Sequence, residues 1–101
     1  MYVPLDNLRG RTVLDAKGAI LGRVRTPLVD LETWAVDTLR LTPTRAVANE
    51  LGLAWSWFRR PVFDVKTGLV HAASDAIILR VTLAELREAQ PSPFEPALSI
   101  H

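Results

Sequence analysis

The side chains suited to acid–base or nucleophilic chemistry are few, and their positions give no sign that they converge. The chain has two histidines and no cysteine. His101 is the last residue, and His71 lies in an apolar run that predicts a strand. Asp64 and Asp75 stand near predicted strand ends, where carboxylates more often serve turns than proton transfer. Two histidines without paired spacing do not suit zinc. We therefore expect no catalytic residue, no metal site, no cofactor and no enzymatic activity.

One short cluster has the composition of a recognition surface. Aromatic residues and arginines dominate interaction hot spots, because they bury a large area with few rotatable bonds and keep a polar group. We predict that this cluster binds a partner through Trp55, Trp57, Phe58, Arg59 and Arg60. Two alternatives stay open: Trp55 and Trp57 share one face of a predicted strand and could cover the core, or the cluster could stack on nucleic-acid bases.

The charge balance argues against a chain that binds mainly to phosphate. There are 12 basic and 11 acidic side chains, a formal charge of +1, whereas nucleic-acid binding needs a strongly basic surface. The first quarter is more basic, and we interpret it as a solvated basic face. Its charged residues are Arg9, Arg11, Lys17, Arg23 and Arg25 against Asp6 and Asp15.

Length and composition predict one small domain that covers part of its surface. The chain has 101 residues, of which 49% are hydrophobic, and a domain of this size has room for a single core. We expect a domain at 1–90 and an extended or flexible proline-rich tail at 91–101. No apolar run reaches the roughly 20 residues of a membrane span, and no signal-peptide pattern opens the chain. The cytoplasm is the expected location.

Short apolar runs separated by turn residues predict a small antiparallel barrel of about five or six strands. A short helix is expected near residues 43–51, with Thr42 as its N-cap, Pro43 in the first helical position and Gly52 at its end. Thr82 and Glu85 have the spacing of a capping box and predict a C-terminal helix. The strands are expected near 12–14, 19–30, 34–41, 55–58, 62–72 and 76–81, with a bulge near 37–38.

The first hairpin and the alternation of the strands predict which side chains face inward. Asp15 and Gly18 fit a tight turn, and Gly22 inside a strand indicates a bulge or bend. We expect the barrel to be filled by Ile20, Val24, Leu28, Ile77, Leu79 and Val81. We then expect an outward apolar patch, covered by a second copy in a homodimer, at Leu21, Val29, Trp34 and Ile78.

The opening of the chain resembles that of PRC-barrel domains, in which a "G-(K/R)-x-V" strand leads through a "D-x-x-G" turn into "(I/L)-G-x-V". The residues on those positions are Gly10, Val13, Asp15, Gly18, Leu21, Gly22 and Val24. The later stretches Pro61-Val62-Phe63-Asp64-Val65 and Asp75-Ala76-Ile77-Ile78-Leu79 resemble the closing strands of that family. The resemblance covers roughly residues 5–81.

The resemblance implies a docking or adaptor domain that often self-associates and has no shared catalytic residues. The family includes the cytoplasmic domain of the photosynthetic reaction centre's H subunit and the C-terminal domain of a ribosome-maturation protein. Our first expectation is therefore an adaptor that binds itself and an unidentified protein. The alternative is an accessory protein associated with RNA or the ribosome.

Overall fold

The computed structural model describes residues 2–53 and 60–89, which form a six-stranded sheet with two α-helices and two short 3-10 helices. The strands are β1 (Thr12–Leu14), β2 (Ile20–Asp30), β3 (Ala35–Pro43), β4 (Phe63–Lys66), β5 (Val70–Ala73) and β6 (Ala76–Leu79). The α-helices are α1 (Arg45–Glu50) and α2 (Leu83–Ala89). The 3-10 helices are Leu5–Leu8 and Thr67–Leu69.

The order of the strands requires the sheet to curl. The order is β4-β3-β2-β1-β6-β5, so β4 and β5 are the two edges. In a flat sheet of six strands those edges would lie about 24 Å apart. Only the 3-10 helix Thr67–Leu69 joins them, and the four peptide steps from Lys66 to Val70 span at most about 14 Å. The sheet therefore bends until its edges approach each other, although β4 and β5 do not pair.

The mostly β character, the inserted helix and the C-terminal helix match the sequence-based expectation, and the six strands agree with the expected number of five or six. The strand expected at 55–58 lies outside the described residues. Two features differ from a purely antiparallel closed barrel. β1 and β6 pair in parallel, and the sheet is open between its edges. The run at 62–72, expected to be one strand, is divided at the second 3-10 helix into β4 and β5. This division places the two halves of one apolar run on opposite edges of the sheet.

The core fills the concave side of the sheet, and one bulge decides which residues of β2 reach it. Val13 pairs with Gly22 and Leu14 pairs with Ile20, so Leu21 is the extra residue of a bulge. Leu21 is 0% exposed and Ile20 is 56% exposed, the reverse of the orientation expected from simple alternation. A second irregularity, at Arg25, again shifts the phase of β2, and Leu28 is only partly buried. The buried core residues are Val13, Leu21, Val24, Leu39, Leu41, Val47, Phe63, Val65, Ile77, Leu79 and Leu86.

β2 and β3 form the longest hairpin of the sheet, with 11 and 9 residues. Leu28 pairs with Thr38 and Val29 pairs with Val36, so Asp37 is an extra residue on β3. The bulge predicted near 37–38 is therefore present. The hairpin turns over residues 31–34, between the paired residues Asp30 and Ala35.

Helix α1 ends as predicted but begins two residues later than expected. β3 continues through Pro43, and the N-cap is Thr44, whose Oγ1 accepts a hydrogen bond from the Val47 amide at 3.2 Å. Pairing of Pro43 with Gly22 holds the earlier residues in the sheet. At the other end, Gly52 has φ +72°. The Leu53 amide donates to the Ala48 carbonyl at 2.8 Å and the Gly52 amide to that of Asn49 at 3.2 Å, which is a Schellman motif.

Helix α2 begins with the predicted capping box. The Thr82 amide donates to Glu85 Oε1 at 3.0 Å, and the Glu85 amide donates to Thr82 Oγ1 at 3.2 Å. Each residue thus satisfies a backbone donor that the first turn of the helix leaves free. Leu86, one turn later, is buried in the core.

We expect Thr82→Ala to lower the free energy of unfolding by about 0.5–2 kcal/mol, because the Glu85 amide loses its acceptor. Urea denaturation followed by circular dichroism measures this loss. Thr82→Ser retains the hydroxyl and serves as the matched control. Equal urea midpoints for the alanine and serine variants would show that the hydroxyl does not stabilise α2.

Candidate docking surfaces

Four apolar side chains form a row across the convex face of the sheet, which we call the outer row. Leu14 pairs with Ile20 on one side and with Ile78 on the other, and Ile78 pairs with Ala72. Paired residues lie on the same face of a sheet, and this face is opposite the core because the neighbours Val13 and Ile77 are buried. Ile20 and Ala72 are exposed, and Leu14 and Ile78 are partly buried.

The residues predicted for self-association do not form one patch. Leu21 is fully buried, so the expectation that it faces outward is wrong, and Ile20 takes its place on the outer face. Ile78 belongs to the outer row. Val29 is partly buried on the distal half of β2, and Trp34 lies at the end of the β2–β3 hairpin.

The β2–β3 hairpin ends in an exposed apolar tip, residues 30–34, which we call the hairpin tip. Leu31 is 70% exposed and Trp34 is 77% exposed. The tip is held by its own hydrogen bonds: the Trp34 amide donates to the Asp30 carbonyl at 2.7 Å, and the Glu32 amide donates to Asp30 Oδ1 at 2.8 Å. Trp34 has φ +59°, a left-handed conformation that costs free energy for a bulky residue. The tip therefore presents an indole to solvent on a defined backbone.

An apolar groove of about 350 Å³ is lined by residues of β3, β5, β6 and both 3-10 helices. Its floor reaches the core residues Leu39 and Ile77. The groove lies where the two edges of the curled sheet approach without pairing. Its lining residues are Leu8, Val36, Leu39, Thr67, Val70, Ala73 and Ile77.

Two arginines flank the β5 wall of this groove. Arg80 Nη2 donates to the Val70 carbonyl at 3.0 Å, and Arg11 Nη1 donates to the Ser74 carbonyl just beyond the other end of β5. Arg11 is fixed further by a 2.7 Å bond from Nε to the Asn7 carbonyl. Within residues 2–53 and 60–89, neither guanidinium forms an ion pair. The groove thus joins an apolar floor to uncompensated positive charge.

Asp15 connects the first hairpin to α2 and is a structural centre of the fold. Its Oδ1 accepts the amides of Lys17 and Ala19, both at 2.9 Å, and its Oδ2 accepts the amide of Leu83 at 2.9 Å. Burial by itself would raise the pKa of the Asp15 carboxyl, but these amides and the charge of Lys17 outweigh it and lower the pKa below its ordinary value. Asp15 is therefore a buried carboxylate whose charge the backbone stabilises.

The turn that Asp15 opens has the backbone that its sequence favours. Gly18 has φ +85°, and its amide donates to the Asp15 carbonyl at 3.0 Å. The Asp15 amide donates to the Ala19 carbonyl at 2.9 Å, which closes the hairpin. Because positive φ favours glycine, the turn requires a residue without a side chain at position 18.

The predicted partner-binding cluster is described only at Arg60, because Trp55, Trp57, Phe58 and Arg59 lie outside the described residues. Arg60 is exposed and borders a pocket of about 370 Å³ together with Arg23, Thr42 and Thr44. Among the residues that the structure describes, Arg23 and Arg60 form no ion pair. This pocket offers two guanidiniums and hydroxyl groups to an anionic ligand.

The side chains considered for chemistry lie apart or are paired. Asp64 binds Arg40 through two bonds, from Nε at 2.9 Å and from Nη2 at 3.2 Å, and this partner raises the pKa of Arg40. His71 and Asp75 are exposed on β5 and on the turn after it. In the described part of the chain, no three His, Asp or Glu side chains are grouped as a metal would require.

No α-helix among the described residues has the length and apolar character to cross a membrane.

Sequence reasoning missed most of the residues that build these surfaces. The sequence predicts no binding role for Leu31, and it places Arg11 only in a basic face. The outer row follows from cross-strand register, which no local pattern records. One signal was available. Leu14 and Ile78 are apolar, and so are their inward-facing neighbours Val13 and Ile77, which indicates strands with apolar side chains on both faces.

Comparison with protein-family models finds no matching family, and comparison with curated proteins finds no match.

Proposed function

We propose that this chain is a non-enzymatic docking protein of the PRC-barrel type, which self-associates and binds a protein partner. The outer row is the observation that carries the proposal. Ile20 is 56% exposed on the convex side, beside the partly buried apolar side chains of Leu14 and Ile78. Contiguous exposed apolar side chains on a small protein mark an interaction surface.

The PRC-barrel assignment is supported by the roles of the residues that carry the resemblance. Asp15 and Gly18 shape the first hairpin turn, and Gly22 lies at the bulge that bends β2. The sheet curls until its edge strands are joined by three residues, which suits a small barrel.

We assign the outer row to the protein partner. In an affinity capture from the native cell, the wild-type chain is expected to hold a protein at high salt and after nuclease treatment. Ile20→Glu should abolish this capture, because a carboxylate in the centre of an apolar contact would be desolvated without a partner. Arg23→Gln, on a different surface, is the matched control and should capture the same protein.

The basic pocket at Arg23 and Arg60 supports the alternative function, an accessory protein of RNA or the ribosome. Guanidiniums without carboxylate partners are suited to phosphate oxygens. This alternative predicts capture that nuclease treatment and high salt abolish, and that Arg23→Gln weakens while Ile20→Glu leaves it intact. That outcome would replace the adaptor function.

Self-association makes a separate prediction. Light scattering at micromolar concentration should report twice the monomer mass of 11.2 kDa, because two-fold symmetric dimers are the commonest way to cover an exposed apolar surface. A mass of one chain at high concentration would contradict self-association and leave only the contact with the partner.

A further inference from the structure

We propose that the hairpin tip of one copy occupies the apolar groove of a second copy, so that two identical contacts form a symmetric dimer. The proposal rests on the self-association included in the proposed function and names the surfaces that produce it. It is independent of the outer row, which lies on the convex face.

The hairpin tip and the groove match in polarity. The tip presents Leu31 and Trp34, 70% and 77% exposed, and the groove offers an apolar floor in a volume of about 350 Å³. Pockets that hold drug-sized groups begin at about 300 Å³, so an indole fits. A buried aromatic side chain removes about 150–250 Å² from water, and the symmetry of the dimer counts this area twice.

The two surfaces also match in charge. The tip carries the carboxylates of Asp30 and Glu32, and neither forms an ion pair within the described residues. The groove is flanked by Arg11 and Arg80, whose guanidiniums are anchored at the two ends of β5. The tip thus carries unpaired negative charge and the groove carries unpaired positive charge, and each surface also has apolar side chains.

The conformation of Trp34 supports a contact outside its own chain. Its left-handed backbone, φ +59°, places a bulky side chain where glycine or asparagine is usual. No burial within the chain compensates for this cost, because Trp34 is 77% exposed. Insertion into a groove of another molecule provides the missing burial.

Symmetry makes a second copy the fitting occupant. In a two-fold dimer, the tip of each copy enters the groove of the other, so both tips and both grooves have a partner. Val36 lines the groove and lies two residues after Trp34 in the same hairpin, so tip and groove are close enough for one continuous interface to contain both contacts.

A charge exchange between two variants tests this arrangement on the full chain. Glu32 contributes only its backbone amide to the tip, and Arg80 makes one side-chain bond, so both accept substitution. Glu32→Arg alone and Arg80→Glu alone should each raise the dimer dissociation constant about tenfold or more, because each places like charges together. An equal mixture should restore the wild-type constant, since both contacts of the heterodimer then join opposite charges.

Two further variants complete the experiment, measured by analytical ultracentrifugation with thermal melts to show that each variant is folded. Trp34→Ser should weaken the dimer about tenfold or more, and Ile20→Ser should leave it unchanged. The tip-in-groove contact would be overturned if Trp34→Ser left the dimer dissociation constant unchanged, or if mixing Glu32→Arg with Arg80→Glu did not restore the wild-type constant. Self-association would stand in either case. A wild-type chain that stays monomeric would overturn both self-association and the tip-in-groove contact, and would leave only the contact with the partner protein.

Discussion

Asp15→Asn is expected to lower the free energy of unfolding by about 2–4 kcal/mol at neutral pH. The variant loses charge-assisted hydrogen bonds, each contributing about 1.5–3 kcal/mol, and turns an amide group of its own toward the buried Leu83 amide. The loss would weaken the attachment of α2 to the first hairpin, because the Asp15 side chain joins them. Urea denaturation of the wild-type and variant chains measures the difference.

The same carboxylate predicts the pH dependence of stability. The pKa of Asp15 is lowered in the folded chain, whereas the unfolded chain has the ordinary value of about 3.9. The stabilising contribution is therefore complete above the unfolded pKa and is lost as the pH falls through the folded pKa. We expect the unfolding free energies of the wild-type and Asp15→Asn chains to converge as the solution is acidified below about pH 4.

Asp75→Asn provides the control, because Asp75 is exposed and the substitution changes the net charge by the same amount. Its stability should stay within about 0.5 kcal/mol of the wild type. If Asp15→Asn and Asp75→Asn melt together, or if the difference between wild type and Asp15→Asn persists unchanged into acid, the Asp15 carboxylate does not hold α2 in place.

Gly22→Ala is expected to destabilise the fold by about 3 kcal/mol or more. An added Cβ would lie 2.8 Å from the Cα atom of Pro43 and closer still to the carbonyl oxygen of Thr42. Both are backbone atoms of β3 and cannot move aside as a side chain would, so β2 and β3 must separate where Gly22 pairs with Pro43. Overpacking of this kind costs about 1–3 kcal/mol even where the surroundings adjust.

Gly68→Ala is the matched control for this prediction. A Cβ at Gly68 meets no atom within 4 Å, so its effect should stay within about 0.5 kcal/mol. Thermal melts of the two variants measure the contrast, and a Gly22→Ala chain with no cooperative transition also agrees with the prediction. Equal melting temperatures would show that a methyl group fits between β2 and β3 where Gly22 pairs with Pro43. The bend at Gly22 would then need another explanation.

Features that depend on a few neighbouring residues were readable from the sequence. The Thr82–Glu85 capping box, the glycine end of α1 at Gly52 and the bulge near Asp37 are examples. The two helix ends are determined by hydrogen bonds or backbone angles within about five residues, so the local sequence contains their whole cause. The bulge breaks the alternation of apolar residues within β3 itself, and the sequence shows that break.

Pairing between distant segments could not be read in this way. The Asp15 carboxylate and the Leu83 amide are 68 residues apart, and no pattern around either residue indicates the other. The division of 62–72 into two edge strands depends on which neighbours each half finds. The pattern of apolar residues at 62–72 is compatible with one strand or with two, so only the packing of the complete sheet distinguishes them.

The sequence alone therefore determined the class of this protein, a small and mostly β chain with two capped helices and turns at defined residues. Only the tertiary structure decided which side chains face outward. One extra residue at Leu21 reverses the alternation of β2 and exchanges Ile20 with Leu21. Side chains in a strand alternate with a period of two, so a single bulge places the residues on its two sides in opposite phase. Ile20 therefore faces outward although Gly22 and Val24, after the bulge, face inward. The outer row depends on that choice, because it forms from the register of Ile20 with Leu14 and Ile78 rather than from composition.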